Sequence, residues 1–107
     1  MSYQNVIDFF KACDHDVALL EQFELRSLAE LLLHANTLGY RFSSRELSAV
    51  IGSMETKLIV EKMGEEIAAS SSLWRRMWGK SRLKYAVEEL FKSFSQSELE
   101  QLLSSLA

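Results

Sequence analysis

A chain of 107 residues is long enough for one domain with a modest core, and 48% apolar with 25% charged residues is ordinary for a globular protein. With no proline and four glycines it lacks the turn punctuation that all-β folds need, so helices are expected throughout. The formal net charge of −3 gives it no general attraction to nucleic acid.

The charge is spread unevenly. Residues 1–53 carry four Lys or Arg against seven Asp or Glu, whereas residues 54–107 carry eight of each, with five of the cations inside Arg75–Lys84. Cys13 is the single cysteine and has no partner for an internal disulfide, which suits a reducing cytoplasm. The first residues do not resemble a signal peptide. The longest apolar run is Val17–Leu20, far short of the roughly 20 residues of a transmembrane helix.

A first helix is expected from about Tyr3 to Ala12, capped by Ser2, with Val6, Ile7, Phe9, Phe10 and Cys13 on one face. Asp14 or Asp16 caps a second, short helix that carries Val17, Leu20 and Phe23 inward. Ser27 and Glu30 have the spacing of a capping box and open a third helix, with Leu28, Leu31, Leu32, Ala35 and Leu38 inward. Gly39 stops that helix, because without a Cβ it takes the left-handed conformation readily. Ser43 and Glu46 restart the chain as a second capping box, with Phe42 and Leu47 as a hydrophobic staple.

The fourth helix is expected to be long, running to about Ala69. Leu47, Val50, Ile51, Met54 and Leu58 share one face, while Val60, Met63 and Ile67 lie nearly opposite. Such a helix has two packing partners, or it breaks at Gly52 and Ser53. An internal glycine costs only about 1 kcal/mol, so one helix is expected. It links an N-terminal three-helix unit, residues 1–52, to a helical extension, residues 53–107, packed with it in one globular domain. Ser70-Ser71-Ser72 is expected to cap a short helix with Leu73, Trp74, Met77 and Trp78, ended by Gly79. Ser81 opens the next, with Leu83, Ala86, Val87, Leu90 and Phe91 inward and Lys84, Glu88 and Lys92 spaced for surface ion pairs. Phe94-Ser95-Gln96-Ser97-Glu98-Leu99 repeats the cap and staple, and opens a last helix with Leu99, Leu102, Leu103 and Leu106 inward. The expected fold is all-α, a compact bundle of five to six helices.

The N-terminal half resembles the nitrogen-fixation-associated "Nif-eleven" small-domain family over roughly residues 1–50. The resemblance lies in Ser2 with Val6 through Phe10, in Asp16-Val17-Ala18-Leu19-Leu20, and in Leu38-Gly39-Tyr40-Arg41-Phe42-Ser43 leading into Glu46-Leu47. It implies either a small protein associated with nitrogen-fixation genes or the leader segment of a modified precursor peptide. The second type ends in a Gly-Gly cleavage site before a Cys-rich core. Here Gly52 stands alone, no cysteine follows Cys13, and residues 54–107 are patterned to fold.

Cys13-Asp14-His15-Asp16 contains metal-ligand chemistry, but the four crowd one turn, where side chains diverge. No metal or other cofactor is expected, and a lone cysteine does not hold an iron–sulfur cluster. His34 lies four residues after Glu30, the spacing of a surface hydrogen bond. The adjacent pairs Glu65-Glu66 and Glu88-Glu89 point apart on a helix, and no nucleophile motif or glycine-rich phosphate loop is present. Catalysis is not expected.

Leu73-Trp74-Arg75-Arg76-Met77-Trp78-Gly79-Lys80-Ser81-Arg82-Leu83-Lys84-Tyr85 is the most informative stretch. Either Leu73, Trp74 and Trp78 fill the core while the cations solvate its rim, or the segment is an interface. Trp, Arg and Met are enriched at protein–protein hot spots, which makes Trp74, Arg75, Arg76, Trp78, Lys80 and Arg82 candidate partner-binding residues. Cations interleaved with aromatics also suit single-stranded nucleic acid or an anionic membrane surface. An acidic half joined to a basic segment also suits head-to-tail self-association. The sequence therefore points to a small cytoplasmic adaptor that docks on a larger protein. The alternatives are a leader-like substrate of a peptide-modifying enzyme or a regulator that binds nucleic acid.

Overall fold

Short polar side chains set the helix starts in the computed structural model, which describes residues 2–24, 26–65 and 81–106, with Arg82 in backbone only. Ser2 Oγ accepts the Asn5 N–H at 3.2 Å and opens α1, Tyr3–His15. Asp16 closes α1 by donating its N–H to Ala12 O. The same residue opens α2, Val17–Glu24, by accepting the N–H groups of Ala18 and Leu19 at 3.1 and 3.2 Å. Asp16 is therefore the cap, and α1 runs on past Ala12. Capping boxes at Ser27/Glu30 and Ser43/Glu46 open α3, Leu28–Thr37, and α4, Ser44–Thr56. Between them Gly39 sits at φ +99°. Its N–H reaches Asn36 O at 3.0 Å and that of Tyr40 reaches Ala35 O at 2.9 Å, the two bonds of a Schellman stop. Ser81 Oγ accepts from Lys84 at the start of α5, Arg82–Tyr85. Ser95 and Glu98 exchange bonds at the start of α6, Gln96–Leu106.

The expected long helix is corrected. α4 passes through Gly52 unbroken, widens into a π-helical segment, Lys57–Lys62, and stops at Gly64, φ +65°, before reaching Ala69. The Glu65 N–H closes that end on Ile59 O at 2.9 Å. The i→i+5 turn changes which residues face inward. Leu58 and Ile59 both enter the core and Met63 packs on it, while Val60 is 48% exposed. The apolar stripe thus continues along one side of the helix instead of switching faces. Ile67 and the expected short helix from Ser70 to Gly79 lie outside the described residues. α5 widens in the same way, into a π-helical segment, Ala86–Leu90, and a 3₁₀ turn, Phe91–Ser93. Its inner stripe of Leu83, Ala86, Val87, Leu90 and Phe91 is buried as patterned, and Tyr85 joins it.

α1 lies at the centre, packed on α2, α4, the π-helical part of α5, and α6. Phe9 is the hub, with ring centroids of Phe23, Phe42, Tyr40 and Phe10 at 5.1, 5.6, 5.8 and 6.4 Å. Residues before and after 53 share one hydrophobic cluster. The radius of gyration, 13.4 Å, matches the roughly 13 Å of a single domain of about 100 residues. Three expected inward residues are corrected: Val17, Leu28 and Leu38 are 65%, 53% and 54% exposed. All three sit at the ends of short helices, where the chain is turning, and Leu20, Phe23, Leu31 and Ala35 fill the contact with the core. Lys92 does not take its expected partner Glu88. Its Nζ lies 3.2 Å from Asp14 Oδ1, an ion contact without hydrogen-bond geometry. Lys62 meets Glu98 at 2.8 Å and lies 5.2 Å from the Phe94 ring, tying the π-helical end of α4 to α6. Among the described residues no helix is long and apolar enough to cross a membrane.

Candidate functional site: an apolar groove between α2, α4 and α5

Trp74, Arg75, Arg76, Trp78 and Lys80 lie outside the described residues, and Arg82 is the first residue of α5. One residue further on, Leu83 forms part of a groove of about 390 Å³. α1 contributes Phe10 to it and α2 contributes Phe23. α3 adds Leu28 and Leu31, α4 adds Leu47 and Ile51, and α5 adds Ala86 beside Leu83. Helical spacing explains why these residues converge. Leu28 and Leu31 are one turn apart on α3, as are Leu47 and Ile51 on α4, so each helix offers a two-residue wall. Tyr85 fixes α5 against α4 by donating its hydroxyl to Glu55 Oε2 at 2.7 Å.

Among the described residues the charged or hydroxyl-bearing side chains of the groove are Glu24, Arg26, Ser48 and Glu55. Arg26 donates through Nε to Gln22 O at 3.1 Å, and its guanidinium lies 5.8 Å from the centre of the Phe23 ring. Glu24 differs from the rest, because its Oε1 is enclosed and accepts no hydrogen bond among the described residues. Neither histidine lines the groove. An apolar floor with a few fixed polar groups is the usual form of a binding pocket, and bundles often build one between their helices. Such a site can take up an apolar group and orient its polar end.

The other sequence-level candidates are placed elsewhere. Cys13 is buried in the core, where desolvation, and secondarily the Asp16 charge, push its thiol up to about 12. It is therefore a protonated packing residue, ill suited to binding a metal. Asp16 is spent on capping α2, Asp14 faces Lys92, and His15 is exposed. Among the described residues no three His, Cys, Asp or Glu side chains gather to hold a metal. Glu30 is held by Ser27, whose hydroxyl and N–H lower its carboxyl below the usual range, and His34 acts on it only through charge. Sequence reasoning missed the groove because its lining residues carry the same helical spacing as core residues. One signal was present: α3 bears Leu28, Leu31, Leu32 and Leu33, apolar side chains on more than one face. No family model, curated protein or solved structure matches this chain.

Proposed function

We propose that this protein is a small non-catalytic interaction or adaptor module, docking on a larger protein that inserts apolar side chains into the groove. The groove itself carries the reading. It has about 390 Å³ of space bounded by apolar side chains, within the roughly 300–1,000 Å³ range of ligand pockets, and Leu28 at its edge is half exposed. The basic–aromatic stretch from Trp74 to Arg82 directly precedes Leu83 in sequence, and its composition is that of interface hot spots. We read it as a second part of the same interaction. The resemblance of residues 1–50 to the Nif-eleven family supports a bacterial, nitrogen-fixation-associated setting, and the unpaired Cys13 supports a reducing cytoplasm.

Quantitative affinity purification tests both parts, using the native chain, Ser48→Phe to obstruct the groove, and Trp74→Ala with Arg75→Glu. One protein should co-purify with the native chain, and each variant should recover about tenfold less of it. Full recovery by Ser48→Phe removes the groove from the interaction. Full recovery by the double variant removes the basic–aromatic stretch.

A further inference from the structure

Among the described residues the groove has a charge bias as well as an apolar floor: two carboxylates, Glu24 and Glu55, line it against one guanidinium, that of Arg26. Arg26 is engaged by Gln22 O and the Phe23 ring, and Glu55 receives the Tyr85 hydroxyl. Glu24 Oε1 is enclosed and receives no donor among the described residues. An enclosed acceptor in that state carries a standing cost that an incoming donor relieves, more so when the donor is a cation.

Gly52 provides a second observation. It lies inside α4, lines the groove, and is not among the glycines with positive φ. A Cβ added there meets no atom within 4 Å. Neither backbone geometry nor packing therefore asks for glycine, which is less stable than alanine in a helix interior. Glycine at this position leaves the groove wall without a side chain.

We infer that the occupant of the groove is an apolar group ending in a cation: a Lys or Arg of the partner protein, set beside an apolar anchor, that donates to Glu24. Such side chains combine an apolar stem with a charged head and suit a site with an apolar floor and an unsatisfied carboxylate. The inference rests on the groove being the docking site.

Octylammonium, octanol and octanoate share one chain and differ only in the head group, so they separate the two questions. Each is titrated below its aggregation concentration into the full-length ¹⁵N-labelled protein, and amide shifts are followed by NMR. The expected result is saturable shifts at groove residues, with octylammonium binding about tenfold more tightly than octanoate. Glu24→Gln, nearly isosteric, should erase that preference, bringing octylammonium and octanoate to similar affinity. Ser48→Phe should abolish binding of all three. Equal affinity for the three probes, or a preference that survives Glu24→Gln, overturns the cation inference while the groove stands. No saturable shift at the groove with any probe overturns both.

Discussion

Phe9 and Phe10 are neighbours on α1, and they face two different environments. Phe9 is fully buried against four aromatic rings and does not line the groove, and Phe42 closes the cluster from the turn before α4. Phe10 has ring partners in Phe9 and Phe91, the latter at 6.5 Å, and also lines the groove, where Leu31, Leu47 and Ile51 approach one another without filling the space between them. The first side is finished by its own residues, whereas the second leaves room for a group from outside. In a small protein, where every buried side chain counts toward a narrow stability margin, apolar surface left unfilled is a cost. A site that binds something is a physical reason to carry it.

The comparison breaks most clearly under truncation. Phe9→Ala should destabilise by about 3–5 kcal/mol in chemical denaturation, since four rings lose a common neighbour. Ile51→Ala, on the groove wall, should cost clearly less, about 1 kcal/mol, because much of the space it vacates is already open. Equal losses at the two positions would mean that the groove side is as tightly packed as the aromatic side. Ser43→Ala removes the cap that delivers Phe42 and Leu47 to the core, and should cost about 1 kcal/mol in the same assay. Gly52→Ala should instead stabilise, by about 0.5–1 kcal/mol, and a loss there would show that the glycine is needed for the fold.

The smallest effect is confined to acid. The Lys62 ammonium, and after it the Ser95 N–H, hold the Glu98 carboxyl below the usual carboxylate range. A lowered acid contributes stability that is fully present above its unfolded value, about 4.3, and is lost as pH falls through the folded value. The difference between native and Glu98→Gln proteins should therefore stay constant above that value and shrink toward acid. Added salt should reduce it, because the pair is solvent-exposed.

The same comparison shows what was legible in the sequence. Caps and stops were, because Ser27/Glu30, Ser43/Glu46, Ser95/Glu98 and Gly39 act within a single turn, where chemistry and spacing are both written locally. The all-α fold followed from the same residues and from the apolar stripes between them. The end of α4 was not legible in this way. Leu58 and Ile59 face inward together only through a π-helical turn, and whether a turn widens depends on what the helix packs against. The groove was less legible still, since Phe10, Phe23, Leu47 and Leu83 come from four helices and each reads locally as an ordinary core residue. Glu24 is distinctive only in three dimensions, where its Oε1 is enclosed and accepts no hydrogen bond among the described residues.

The central claim is that Gly52 leaves open a wall that an outside group occupies, and a titration of octylammonium into native and Gly52→Leu proteins tests it most directly. The account predicts a variant at least as stable as the native chain, with the groove shifts lost. A Gly52→Leu protein that folds normally and binds the probe with native affinity would contradict it.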